Sequence, residues 1–407
     1  MSVVLRESIF SSRSFALYFA GQALSYFGDA LRTLAIPLLV FHVTGSAYSL
    51  GLTYALEFLP FALAGLVGGS VADRVDRRRL MIACDFIRFS VIALFALAYV
   101  RGLLTLPLLY SGIIILSITA AFFMGGQASS LPMLVGKERG TQAFAALVAA
   151  EQGSNMIGPP IGGALFAVFG PVAALVINAT TYLLSQVSLY LVPTMGPDEP
   201  AGPPNMRELG HDIGAGFRFL WGEPAMRVLT FNSLFLNLFG MMGYAVLIPY
   251  LKRDFGVSDQ YVGLFIGLSG CGAVIGSLYA GRVAHRWPFG KALSVAYLID
   301  ALIFLPVPFT HNFWVAGLCW AAANAGAQFE TAQIVGWRLR VAPEDKIGRV
   351  FGAVRLVALI GVVPGVLVGG WLADAYGARV PMMVSGLAYV LFAIFACSMP
   401  VIRNEAR

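Results

Sequence analysis

The chain has 407 residues, of which 58% are hydrophobic and 12% charged, with 30 Phe, 45 Gly and a formal net charge of +6. Soluble domains carry roughly 45–50% apolar and about 25% charged residues. This composition therefore excludes a soluble globular protein, a disordered chain, a collagen-like repeat and a disulfide scaffold. At ~20 apolar residues per crossing, the length accommodates a dozen membrane helices and leaves no room for a large catalytic domain outside the lipid.

Hydrophobic runs punctuated by charge, Gly and Pro predict twelve spans, at about 14–41, 49–72, 80–100, 106–134, 141–168, 171–193, 226–251, 259–283, 290–309, 312–337, 347–373 and 380–401. The first run, Phe15 to Phe41, is too long for the core of a cleavable signal peptide. Backbone groups in lipid are satisfied within each segment, so the spans are helices; a β-barrel would show alternating ten-residue segments. The four cysteines, Cys84, Cys271, Cys319 and Cys397, fall inside apolar runs and read as free thiols.

Lys and Arg sort to one side of these spans. With both termini cytoplasmic, 20 of the 27 fall on cytoplasmic segments, four (Arg101, Lys252, Arg253, Arg379) on the opposite side, and Arg32, Arg88 and Arg355 within helices. The excess sets orientation and marks a multi-pass protein of the cytoplasmic (inner) membrane. With no soluble basic domain, no nucleic-acid partner is expected.

The two halves echo each other. Ile36-Pro37 matches Ile248-Pro249 and Ala72-Asp73-Arg74 matches Ala284-His285-Arg286, at an offset of 212. Gly162-Gly163-Ala164-Leu165 matches Gly369-Gly370-Trp371-Leu372 and Gly170 matches Gly377, at an offset of 207. Two such blocks in the same order argue for a duplicated six-helix unit, a transporter plan with its substrate site between the repeats. The expected fold class is all-α integral membrane: twelve helices in two pseudo-symmetric six-helix bundles, residues 1–193 and 226–407. Residues 194–225 form a cytoplasmic linker. There Leu209, Ile213, Phe217, Leu220 and Trp221 share a helical face, which predicts an amphipathic surface helix.

The loop Gly68-Gly69-Ser70-Val71-Ala72-Asp73-Arg74-Val75-Asp76-Arg77-Arg78-Arg79 resembles the signature between helices 2 and 3 of the major facilitator superfamily. Gly153-x-x-x-x-Gly158-Pro159-Pro160-x-Gly162-Gly163 resembles its antiporter motif. Gly21-Gln22-Ala23-Leu24-Ser25-x-x-Gly28-Asp29, followed by Ala35-Ile36-Pro37-Leu38, resembles the branch with enterobactin exporters and macrolide or multidrug efflux proteins. The resemblance covers essentially the whole chain. It implies that Asp73, with Arg74 and Arg77, gates the cytoplasmic side, meeting a helix N-terminus or a cation such as Arg349 or Arg355. The alternative is a plain headgroup anchor. Two departures stand out. Residues 117–133 of helix 4 carry no Arg, whereas many drug exporters bury one there, and His285 replaces Asp73 in the second copy of the loop.

Gly158, Pro159, Gly162 and Gly163 suggest a close-packed gating seam, with the glycines of helix 8 (Gly263, Gly267, Gly270, Gly272, Gly276) as its expected partner. Asp29 and Arg32, and again Asp85 and Arg88, stand at i,i+3 and predict ion pairs. Proton coupling needs a buried carboxylate that loads and releases a proton near neutral pH. Glu151 and Glu330 lead as unpaired acids, followed by Glu57, Asp300 and Asp29; the alternative for each is a satisfied interhelical hydrogen bond. Candidate substrate contacts are Phe27, Phe58, Gln127, Asn155, Asn232, Phe235, Phe239 and Trp337, with Tyr244, Trp320, Asn178, Asn237 and Asn324 also placed to line an apolar cavity.

The function expected is proton-driven antiport of amphipathic organic compounds such as a drug, macrolide or siderophore. A lipid or lysophospholipid flippase of the same fold is the alternative. The expected partners are the small molecule, protons and membrane lipids, and the chain is expected to act as a monomer without cofactor or metal. His42, His211, His285 and His311 are scattered without metal-ligand or triad spacing, which argues against an enzyme.

Overall fold

In a computed structural model, every span folds as a helix and no strand forms among the described residues, which are 9–72, 74–195, 206–283, 287–343 and 347–398. The chain runs α1 (Arg13–Thr44), α2 (Ala47–Ala72), α3 (Arg77–Val100), α4 (Leu106–Val135), α5 (Gly140–Phe169) and α6 (Pro171–Tyr190). After the connecting helix α7 (Met206–Gly222) come α8 (Pro224–Ala245), α9 (Leu247–Pro249) with a π turn over Tyr250–Asp254, and α10 (Asp259–Val283). The chain continues through α11 (Phe289–Phe304), α12 (Phe313–Val341), α13 (Ile347–Tyr376) and α14 (Arg379–Ser398).

Nine of these segments are long and apolar enough to cross a membrane. The other three positions of the twelve-span order fall to α5, α11 and α12. The first and last carry polar side chains such as Glu151, Asn155, Glu330 and Arg338 in their spans, and α11 has only 16 residues.

Local chemistry sets the helix ends. Asp76 caps α3, accepting from the Arg78 and Arg79 amides at 3.0 and 3.4 Å. Asn312 does the same for α12 at Trp314 and Val315. Pro107, Pro171 and Pro224 occupy the first turns of α4, α6 and α8, where no intrahelical donor is lost. The duplicated glycines serve one purpose: Gly170 between α5 and α6 has φ 72°, and its counterpart Gly377 between α13 and α14 has φ 92°. A side chain is strained in that left-handed backbone, so the repeat keeps Gly at the same turn.

Contacts divide the chain into two compact units, one of Met1–Ile36 and Pro60–Pro204, the other of Pro37–Leu59 and Asn205–Arg407. The divisions fall at Pro37, inside α1, and beside Pro60, inside α2. Each unit repeats the same internal packing. In the first, α3 lies against α6; in the second, α11 lies against α14. Gly68 of α2 abuts the Ala121 carbonyl of α4, as Gly272 and Gly276 of α10 abut the carbonyls of Ala321 and Ala325 of α12. Close approach of backbones through glycine is how helices gain dispersion energy where lipid supplies no hydrophobic drive.

The linker helix α7 forms, and one side of it packs against α13 and α8. Leu220 is completely buried among Met226, Leu229, Val350 and Ala353, Phe217 is partly buried, and Trp221 stays half exposed. Gly216 permits the approach, because a Cβ there would fall 2.2 Å from the Arg349 carbonyl oxygen. The side chains of Leu209, His211 and Ile213 lie outside the described residues.

Candidate functional site

The second unit encloses a cavity of about 460 Å³ between α8, α11, α12, α13 and α14. Its wall is mixed: Phe304, Trp320, Tyr244 and Tyr389 supply rings, Asn237, Asn324 and Gln328 supply amides, and Asp300, Glu330 and Arg338 supply charge. Apolar walls with a few placed polar groups suit an organic ligand.

Asp300 and Glu330 are 6% and 3% exposed. The Asp300 carboxylate lies against Gly326, one helical turn before Glu330 on α12, where a Cβ would meet Oδ1 at 2.6 Å. One oxygen of each acid, Asp300 Oδ1 and Glu330 Oε1, is buried without a hydrogen-bond partner, and among the described residues neither acid forms an ion pair. Arg338 is spent elsewhere: its Nη2 donates to the Leu229 carbonyl and Ser233 Oγ, both at 3.1 Å. Orphaned carboxylate oxygens in a buried site are costly.

The same unit carries a second polar cluster where α2 begins. Asp374, at the end of α13, accepts from Ser46 Oγ at 2.6 Å, the Ala47 amide at 2.8 Å, the Tyr48 amide at 2.9 Å and Arg253 Nη2 at 3.1 Å. Arg253 also donates to the Gly45 carbonyl and lies over the Phe41 ring. A carboxylate at a helix N-terminus meets free amides and the positive end of the dipole. Beside it, Asp259 pairs with Lys252 at 2.6 Å and His42 at 3.3 Å. Glycines seat the two helices, since a Cβ on Gly51 would reach the Val366 carbonyl and one on Gly370 the Ala47 carbonyl.

In the first unit several polar side chains pair with one another, while Asp85 Oδ2, Gln186 Nε2 and both polar atoms of the Asn178 side chain are buried without a hydrogen-bond partner. Asp29 accepts from Tyr182 Oη at 2.5 Å and pairs with Arg32 at 3.5 Å. Arg88 pairs with Asp85 at 3.5 Å, donates to the Thr119 carbonyl at 3.3 Å and stacks on Phe123 at 4.6 Å. Arg88 thus places a buried guanidinium from α3 against α4. Gln127 joins a chain of hydrogen bonds with Tyr26, Gln22 and Ser185.

A family model described as a transmembrane secretion effector matches residues 7–407. The chain is 26% identical over 391 residues to the multidrug efflux pump Tap of Mycobacterium tuberculosis, covering 93% of this chain and 91% of that one. It is 24% identical over 406 residues to macrolide efflux protein A of Streptococcus pyogenes, covering 97% and 96%. Among solved structures, a bacterial homologue of the human lysosomal transporter Spinster matches with a TM-score of 0.75 at 16% identity, over 98% of both chains. The chain belongs to the major facilitator superfamily. It is a multi-pass membrane transporter and not an enzyme.

Within this major facilitator transporter the residues singled out in the sequence scatter. Asp300 and Glu330 meet in one cavity. Glu57, half-buried on α2 next to Phe58, lies in the second unit within electrostatic reach of Tyr54 and Tyr244, whose rings are 5.2 Å apart. Glu151 and Asn155 are exposed on α5. Phe27 is half-buried.

Asn237, Tyr244, Trp320 and Asn324 line the cavity, whereas Asn232 and Trp337 are buried in packed core. Asn232 donates to Tyr297 Oη and Trp337 stacks on Phe289. Phe235 stacks between Phe239 and Phe392. Within their own units, Gly158 and Gly162 of α5 face Ala30 and Leu31 of α1, and Gly272 and Gly276 of α10 face α12. Pro159 and Gly163 are buried.

Of the signature loop, Asp73 lies outside the described residues, as do His285 and Arg286 of its second copy. Arg74 bonds through its amide to the Val71 carbonyl and Arg77 to that of Met195. Arg355 is half-buried on α13. Arg338, Tyr389, Asp374 and Arg253 escaped the sequence reading as site residues. The predicted span stopped at 337, which put Arg338 outside, but α12 runs to Val341 and buries it.

Proposed function

We propose that this transporter exports amphipathic organic compounds by alternating access, driven by proton influx, with Asp300 and Glu330 as the proton-carrying pair. The observation that carries this reading is the cavity in which two orphaned carboxylates face aromatic and amide walls. Two acids together in a low-dielectric space repel when both are charged. A proton on the pair removes that cost, and so does a cationic or hydrogen-bond-donating ligand. Competition between the two for one site couples their movements. The names of the curated relatives, a multidrug efflux pump and a macrolide efflux protein, support the substrate class.

In this reading the chain lies in the cytoplasmic membrane with both termini inside, as the Lys and Arg distribution suggests. Residues 1–193 and 226–407 act as the two rocking bundles. Asp73, Arg74, Arg77, Arg32, Arg355 and the α5 motif serve the gates.

The test is transport in proteoliposomes with an imposed pH gradient, using erythromycin and a lipophilic cationic dye as probes. The wild type accumulates at least one probe uphill. Glu330→Gln and Asp300→Asn retain downhill exchange and lose uphill accumulation. A rate indifferent to the gradient, or gradient-driven accumulation intact in both variants, overturns the assignment.

A further inference from the structure

The outer face of the second unit carries a recess of about 450 Å³ between α10, α11 and α12, separate from the carboxylate cavity and joined to it only through the Asp300 side chain, which contributes to both walls. The recess is apolar along its length, with Ile275, Val295, Ile299, Ile303 and Phe329 on its sides and the small residues Gly276, Ala296, Ala322, Ala325 and Gly326 at its base. Ile275 and Ile299 are 63% and 51% exposed. On a membrane-spanning surface such side chains face lipid.

The recess has polarity. At the end next to the α10–α11 turn stand Arg282 and Trp287, both exposed, and Lys291 lies 5.8 Å from the Trp287 ring. From Lys291 to Ile303 the helix rises about 18 Å, close to half of the ~30 Å hydrocarbon core. A single-leaflet furrow with an indole and two cations at its mouth has the dimensions and charge of one anionic phospholipid.

We propose that this furrow is a binding site for an anionic glycerophospholipid, its phosphate held by Arg282 and Lys291 and one acyl chain laid along α11 as far as Ile303. Charge complementarity selects this occupant. A zwitterionic lipid brings its own cation beside the phosphate and so leaves the positive charge of the site uncompensated, and each basic residue near a membrane surface contributes about 1 kcal/mol toward an anionic lipid. The lipid is a resident of the transporter and not its cargo. Its chain covers the side of α11 from which Asp300 reaches inward, so occupancy shields that carboxylate from the bilayer.

The experiment uses the full-length, delipidated protein in detergent with phosphatidylglycerol and phosphatidylcholine of identical chains. Native mass spectrometry reads retention, and quenching of Trp287 by brominated chains, taken as the difference between wild type and Trp287→Phe, reads position. The wild type retains phosphatidylglycerol over phosphatidylcholine and shows quenching. Arg282→Gln with Lys291→Gln lowers that preference about thirtyfold. Ala296→Phe, which fills the base of the furrow and leaves the cations in place, abolishes chain quenching while the melting temperature in detergent stays within a few degrees of wild type. Equal retention of both lipids, or full quenching in Ala296→Phe, overturns the proposal. So does an Ile299→Cys cross-link between two copies that Ala296→Phe prevents, because the occupant is then a second protein molecule.

Discussion

Asp374 gathers two backbone amides, a hydroxyl and a guanidinium. A charge-assisted hydrogen bond contributes about 1.5–3 kcal/mol, so Asp374→Ala is expected to lower stability by about 2 kcal/mol, most of it local to the start of α2. Hydrogen exchange reads this directly: the Ala47 and Tyr48 amides lose protection while the core of α13 keeps it. Unchanged protection at both amides contradicts the role. The Arg88 site makes a second test. Arg88→Met strands Asp85 in the core, where a lone charge costs about 3–5 kcal/mol, and thermal unfolding in detergent should show it. Adding Asp85→Asn to Arg88→Met should recover part of the loss; no recovery means the two side chains are energetically independent. The i,i+3 spacing made this pair legible in the sequence. Its third and fourth neighbours, Thr119 and Tyr182, were not, because they arrive from α4 and α6 by tertiary packing. For the same reason Asp374 could not be read as a cap for α2, because the Ala47 amide it accepts from lies 327 residues earlier in the chain.

At the scale of the helix, hydrophobic runs punctuated by charge, Gly and Pro placed the elements within about six residues of their observed ends. Lipid permits only helices, so each long apolar run had one solution. Partner choice was less legible. The glycines of α5 and α10 announce close packing but not against what; within their own units Gly158 and Gly162 meet α1, and Gly272 and Gly276 meet α12. Gly272→Leu forces a side chain toward the Ala321 carbonyl, where even a Cβ would sit 1.9 Å away. Overpacking typically costs about 1–3 kcal/mol, more where backbone must shift. Gly281→Ala on the same helix meets nothing within 4 Å. Melting temperatures of the two variants in detergent should differ by many degrees, with Gly281→Ala near wild type. Similar values in both would mean that α10 and α12 do not depend on this contact.

Across the whole molecule, the duplicated motifs, the Lys and Arg asymmetry and the superfamily signatures foretold a twelve-helix transporter, and the family match agrees. What composition could not supply is the depth and company of each ionisable group. Glu151 and Glu330 look alike in sequence, each a lone acid in an apolar run, yet one is exposed and the other is 3% exposed beside Asp300. That difference makes the Asp300–Glu330 pair the centre of the account, and proton release on ligand binding tests it most directly. In weakly buffered detergent solution near pH 7, adding a transported compound to the wild type should release protons in fixed ratio to ligand bound, and Asp300→Asn with Glu330→Gln should bind ligand and release none. Binding without proton release in the wild type, or equal release in the double variant, would contradict the assignment.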